Sequence, residues 1–200
     1  MKFRTLRWAP LAWAALAAVC ILGCEREEVI AVRHATENEI SQVVKGNNEF
    51  ALDIYNQLRQ EDETQNLFFS PYSLSTALGM AYTGARGSTT EEIATTLRFP
   101  FEQDRQLPAM AELIRRQNQL AEKGDFQLSI ANALWGQKGF GFSDYFIKKS
   151  EAYFGAGLRQ VDFKNQAEQA RGQINNWVED ETQNKIKDLT ADFRRRFHRR

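Results

Sequence analysis

Cysteine is nearly missing from this 200-residue chain: there are two, Cys20 and Cys24, both within the first 24 residues. Beyond them no disulfide framework and no thiolate metal site can form. Histidine is as scarce. His34 lies in a charged stretch and His198 among arginines, so neither is placed as the base of a Ser–His–Asp triad, and no G-x-S-x-G elbow is present. Acid pairs such as Glu91-Glu92 and Asp180-Glu181 fall on expected helix surfaces, where solvated charge is the ordinary role. No catalytic residue, no metal ligand and no cofactor is assigned. The chain has no repeat and no low-complexity tract. Its body also lacks positive charge: residues 24–193 carry 18 Lys and Arg against 26 Asp and Glu, a net of −8 that the formal neutrality of the whole chain hides. An acidic body argues against nucleic acid as its partner.

What is present begins with a leader. MKFRTLRWAP brings Lys2, Arg4 and Arg7 and no acid, and LAWAALAAVCILG follows up to Gly23. A basic n-region, a short apolar run and a small residue before the cut make residues 1–23 a secretory signal. The run is short for a membrane span, which needs ~20 apolar residues. Ile21-Leu22-Gly23-Cys24 reads as a lipobox, so Cys24 would carry lipid and anchor the chain to a bacterial membrane on its extracytoplasmic side. An ordinary cleaved signal peptide or an uncleaved anchor is the alternative.

Residues 24–46 read as a charged spacer, with some helix near its end where Ile40, Val43 and Val44 recur at helical spacing. Phe50, Ala51, Ile54, Tyr55 and Leu58 then form one stripe of an amphipathic helix, capped by Asn47 or Asn48. NLFF, residues 66–69, reads as a short strand after the polar turn EDETQ. Ser70 and Pro71 open a second helix as N-cap and first-turn proline, with Leu74, Ala77, Leu78 and Ala81 as its apolar face and Gly84 at its end. Ser88 to Glu91 has capping-box spacing for a third helix through about Leu97. A fourth is expected from Asp104 to about Lys123, with Leu107, Met110, Leu113, Ile114 and Leu120 inward. Phe126, Leu128 and Ile130 alternate as a strand that continues through ANALWGQ as a central strand. Ser143 caps a helix to about Phe154, LRQVDF is a further strand, and Ala170, Ile174, Trp177 and Val178 mark a last helix from near Gln166. The order is α+β.

Three of these segments carry a resemblance. NLFFSPYSLSTALGMAYTGARGSTTEEI (66–93), ANALWGQ (131–137) and INNWVEDETQNKIKDL (174–189) together resemble the serpin superfamily, in family order and spacing. The resemblance implies a serpin fold, its N-terminal half (helices A–F and part of the large central β-sheet), as a partial domain over residues 47–189. It places Asn66, Ser70, Pro71 and Ser73 on the family's shutter, the region where the large sheet parts. By the same resemblance Gly84, Gly87 and Thr89 form a motif turn, Asn132 and Trp135 belong to a strand in the middle of the sheet, and Trp177 to helix F across it. The local reading of the same residues is plainer: Ser70 as helix cap, Ser73 as first-turn filler, the glycines as a tight turn, and Trp177 as a packed aromatic. A phosphate-cradling loop at Gly84–Gly87 is disfavoured, because no lysine follows in the P-loop position.

The function implied is suicide-substrate inhibition of serine or cysteine proteases, in which a cleaved loop inserts into the sheet as an extra strand. Serine or cysteine proteases are the implied partners, with a membrane reached through lipid on Cys24. The rival is a non-inhibitory, membrane-tethered binding or scaffold protein. No motif beyond Leu189 matches. Residues 190–200, TADFRRRFHRR, form an arginine-rich tail that reads either as a binder of anionic lipid or nucleic acid or, the favoured expectation, as an out-of-frame continuation. The reactive loop has no match in these 200 residues, and uncovered strand edges are expected to make this portion aggregate alone.

Overall fold

The computed structural model describes residue 30 and residues 32–61, 66–123, 132–155 and 157–190. The leader, Cys24, the strand residues Phe126, Leu128 and Ile130, and the arginines of the tail lie outside the described residues. Six helices and two strands follow one another: α1 (Glu37–Glu61), α2 (Pro71–Gly84), α3 (Ser88–Thr96), α4 (Gln103–Lys123), β1 (Leu134–Gln137), α5 (Asp144–Phe154), β2 (Leu158–Val161) and α6 (Ala167–Glu181).

The first helix starts ten residues before the expected cap at Asn47, so the second half of the spacer is folded. Its start is a reciprocal capping box. The Thr36 N–H donates to Glu39 Oε2 at 2.9 Å, and the Glu39 N–H donates to the Thr36 hydroxyl at 3.3 Å, which satisfies two amides that a helix start otherwise leaves bare. Glu39 is 4% exposed. Its carboxylate also accepts from Arg33 at 2.7 Å and from Arg105 of α4 at 2.8 Å, so the cap doubles as a clasp between α1 and α4. The α1 stripe is correspondingly shifted toward its start: Ile40, Val43 and Phe50 are buried, whereas Tyr55 is 44% exposed.

The second helix corrects the sequence reading most. Leu74, Ala77, Leu78 and Ala81, the expected inward face, are exposed. The buried residues are Ser75, Thr76, Gly79, Met80, Tyr82 and Thr83. A helix that is apolar nearly all round has two faces to bury, and the described structure covers the one with the small and hydroxylated residues. Just ahead of it, residues 66–69 are irregular rather than a strand. A strand needs a neighbour to take its backbone hydrogen bonds, and among the described residues none lies beside NLFF; Phe68 is fully exposed. In α3 the N-cap is Gly87, not Ser88, so the capping box expected from Ser88 to Glu91 does not form. Leu120 of α4 is also exposed, one turn from the end of a helix whose buried residues cluster at 106–110.

Val43 of α1, Met80 and Tyr82 of α2, Leu107, Ala109 and Met110 of α4, and Tyr153 and Phe154 of α5 form one core. The end of α2 is closed by Gln103 of α4, whose amide donates to the carbonyls of Tyr82 at 2.6 Å and Ala85 at 3.0 Å. These are carbonyls that a helix C-terminus leaves without intrahelical donors. The two strands run parallel, with Leu134 opposite Leu158 and Gln137 opposite Val161; α5 makes the crossover that a parallel pair requires. Among the described residues β1 pairs with β2 alone. No described helix is long and apolar enough to cross a membrane.

The clasp predicts an acid response. The guanidinium of Arg33, then the Thr36 amide and Arg105, hold Glu39 well below its ordinary 4.5, and Arg115 and Arg116 hold Glu112 down at about 2. A carboxylate depressed in the folded state contributes stability that is complete above its unfolded pKa and lost as pH falls toward the folded one. The thermal midpoint of the chain is therefore expected to hold from neutral pH to about 5, by the ordinary carboxylate range, and then to fall. Glu39→Gln lowers the midpoint at neutral pH and flattens the acid slope; an unchanged slope in that variant would remove Glu39 from the account.

Candidate functional site

Two regions gather the residues singled out in the sequence. The first is the start of α2. Ser70 adopts extended backbone and its hydroxyl accepts from the Ser73 N–H at 3.2 Å, with Pro71 in the first turn. The structure thus brings Ser70, Pro71 and Ser73 together as a helix cap. Asn66 is exposed, four residues ahead of Ser70 in irregular chain, and within residues 66–73 the described side-chain hydrogen bonds do not join it to either serine. The buried polar groups of this region are one turn further on, at Ser75 and Thr76 of α2 and Gln106 of α4. They carry no signal in the sequence beyond their spacing along the helices.

The second region is the end of α2 and the sheet. Gly84 is the last residue of α2, and a Cβ there would come 2.9 Å from the Phe146 ring of α5, so glycine permits the close approach of the two helices. Gly87 turns the chain into α3 with φ +58° and ψ −139°, backbone that L-residues with a Cβ scarcely enter. Thr89, the third member of the motif, is an exposed residue of the first turn of α3. Gly84 and Trp135, far apart in sequence, line one open groove of about 540 Å³, together with Arg86, Gly136, Phe140 and Phe142. Asn132 is half-buried and sits two residues before β1 begins.

Trp135 of β1 and Trp177 of α6 meet edge to face, ring centroids 5.9 Å apart. The guanidinium of Arg159 on β2 lies 5.7 Å from the first ring and 5.3 Å from the second, a cation–π arrangement that joins both strands to the helix. Trp177 is half-buried, the packed aromatic its helical spacing predicts. Two further contacts fix α6 and were not foreseen. Asp162, just after β2, accepts from Asn165 and from the Gln137 side chain of β1 at 3.0 Å. The Asn165 amide, then Gln137, pull the Asp162 carboxyl down to about 2. At the other end Asn175 accepts from the Thr190 N–H at 2.9 Å and hydroxyl at 2.7 Å, tying the chain that leaves α6 back onto the helix. The D-x-x-N spacing of Asp162 and Asn165 is a turn signature that could have been read; Asn175–Thr190 could not, because Thr190 lies fifteen residues beyond Asn175, in irregular chain after α6 has ended.

The described residues of these regions offer hydroxyls, amides and aromatic faces that hold elements against each other, with no nucleophile paired to a base. Such an arrangement positions structural elements against one another. Gly87→Ala tests the backbone requirement at the motif turn. Forcing a Cβ into that region is expected to destabilise by about 1–3 kcal/mol, read as a lowered urea midpoint, whereas Thr89→Ala on the exposed face stays within about 0.5 kcal/mol of the parent.

The comparisons with known proteins agree on one family. A family model described as serpin (serine protease inhibitor) matches residues 45–196. An uncharacterized serpin-like protein of Methanosarcina mazei is 34% identical over 188 residues, covering 88% of this chain and 44% of that protein. Leukocyte elastase inhibitor A of Rattus norvegicus is 34% identical over 155 residues, covering 76% of this chain and 39% of the inhibitor. Among solved structures, maspin superposes with a TM-score of 0.71 at 30% identity, over 78% of this chain and 40% of maspin. The chain therefore spans less than half the length of the relatives it matches. The family match takes in α1 from residue 45 on, the capped start of α2, the parallel strands and α6: the chain belongs to the serpin family and carries the N-terminal part of its fold.

Proposed function

We propose that the protein to which this chain corresponds inhibits serine, or in some cases cysteine, endopeptidases as a suicide substrate. The observation that carries this reading is the family match over residues 45–196, and the naming of a relative at 34% identity as a leukocyte elastase inhibitor is consistent with it. In this reading these residues are the scaffold. The Ser70–Ser73 cap and the polar residues behind it flank the place where the sheet opens. Gln137, Asp162 and the Trp135–Arg159–Trp177 stack hold α6 against the strands until it must shift. Hydrogen bonds and one cation–π stack suit that task, because they break and re-form between discrete arrangements more readily than an interdigitated apolar interface does. The residue presented to the protease is not among the matched motifs.

The test is a covalent complex. Mixed with an elastase-like or a trypsin-like protease, residues 25–200 give no detergent-resistant band. The product of the gene sequenced through and past the codon for Arg200, if another reading frame resumes the family's sequence, gives one. A band from the 200-residue chain would show that the bait lies within it, and a resumed chain that stays bandless against a protease panel would favour the tethered, non-inhibitory binding protein.

The same proposal extends to location: the chain is exported and held by lipid on Cys24 at the extracytoplasmic face of a bacterial membrane. What supports this is the basic start, the short apolar run and the small residue before Cys24. Labelled fatty acid is expected in the wild-type chain and lost in Cys24→Ser. Label retained in that variant, or a mature N-terminus other than residue 24, would return the leader to an ordinary signal peptide.

A further inference from the structure

Where α1, α2 and α4 meet, behind the capped start of α2, the helices leave a small cavity, about 10 Å³ of room for the centre of a water molecule. Its walls are uneven in character. Val43, Met110 and Leu113 supply the apolar side, and Asn47, Tyr72, Ser75 and Thr76 the polar one. Three of those polar groups, Asn47 Oδ1, the Tyr72 hydroxyl and the Thr76 hydroxyl, are buried without a hydrogen-bond partner. Native folds leave only a few such groups unpaired, and here three belong to residues that line the same small cavity.

We propose that this cavity is a binding site for one structural water, held by Asn47 of α1 and by Tyr72 and Thr76 of α2. The size fits a single water, whose centre needs ~10–15 Å³. The chemistry fits as well. The amide oxygen only accepts, and each hydroxyl donates or accepts, so one water donates to Asn47 Oδ1, accepts from one hydroxyl and exchanges its remaining bond with the other. No charged side chain lines the cavity, which leaves a bound metal cation with three neutral oxygens and no counter-charge, a poor set for a hard ion.

The threonines of the same fold sharpen the point. Thr83 and Thr182, also buried, satisfy their hydroxyls locally by donating to the carbonyls of Gly79 and Val178, four residues back, at 3.2 and 2.7 Å. Thr76 makes no such bond, although the same position four residues back is available on its own helix. Burial raises the pKa of Tyr72, and an interaction with the adjacent Thr76 hydroxyl opposes it, which places the two hydroxyls side by side at the cavity wall. The water site is then the link between α1 and the first turns of α2, complementary to the Glu39 clasp between α1 and α4.

The sign of a mutational effect tests this. If the hydroxyls face only each other and apolar atoms, removing one relieves an unsatisfied group and stabilises the chain. If they hold a water, removal unhooks it. Thr76→Val and Tyr72→Phe are each expected to lower the folded-to-unfolded ratio of the full chain roughly tenfold in urea unfolding. Thr76→Ser keeps the ratio within a few-fold, and the double variant loses less than the product of the singles because both act on one water. A raised ratio in either single variant, or losses that multiply, overturns the proposal. A second measurement does not depend on the variants folding: in the wild-type chain, magnetisation transfer from water to the Thr76 methyl and Tyr72 ring protons should carry the sign of a long-lived bound water. Transfer of the fast-exchanging sign, or none, overturns it equally.

Discussion

The carboxylate of Glu39 is the point on which the described fold turns. It is buried, and a buried charge persists only when it is paired and fully hydrogen-bonded; two guanidiniums and the amide and hydroxyl of Thr36 meet that demand. Because those partners come from before α1, from its cap and from α4, satisfying one carboxylate places the helix start, its register and its neighbour together. Once α1 and α4 lie side by side, α2 can seat its small and hydroxylated face against them. Met80 and Tyr82 then enter the core with Leu107 and Met110. A second ion-pair set, Glu37 and Glu112 on Arg116, spans the same two helices on the exposed side. In solvent it adds little stability, but it has the same geometric sense.

From the bundle the constraint passes outward to the candidate site. Gln103 of α4 closes the carbonyls at the end of α2, which sets where Gly84 meets Phe146 of α5, and α5 is the crossover between the parallel strands. The strands in turn position Trp135 and Arg159 for Trp177. Polar contacts do the joining at each hand-over: a cap, a side-chain amide on carbonyls, an aspartate that gathers a turn.

The outer face of α2 shows what this part of the fold leaves open. Leu74 and Leu78 stand on it with Phe68 ahead of them, all exposed. The helix is apolar on both sides, so its composition anticipates a second covering layer that the described residues do not supply. The chain spans 44% of one relative and 40% of one solved neighbour. The physical corollary is an apolar surface of the kind that associates or aggregates when left uncovered.

Two helix caps, Ser70 and Ser143, were legible because they are local, whereas α3 is capped by Gly87 and not by Ser88. Ser70 and Ser143 each accept from an amide three residues on, as residue type and spacing indicate. Thr36 to Glu39 carried the same spacing but sat in a charged stretch read as spacer, and nothing local says that a glutamate there will be buried. The strand expected of NLFF failed for the opposite reason: its residue types suit a strand, but a strand is a property of a pair.

By itself, then, the sequence determined the family, the helix count, the order of elements after Ser70 and the glycine turn at Gly87. These rest on short-range sterics and hydrogen bonds, or on motifs long enough to be specific. Only the tertiary structure decided which face of α2 is inward, that Glu39 is the clasp, that Asn66 stands apart from Ser70 and Ser73, and that Arg159 bridges two tryptophans. Each of those depends on which helix or strand arrives alongside: periodicity marks an apolar face, but where a helix is apolar nearly all round, or the contact is polar, only the neighbour decides.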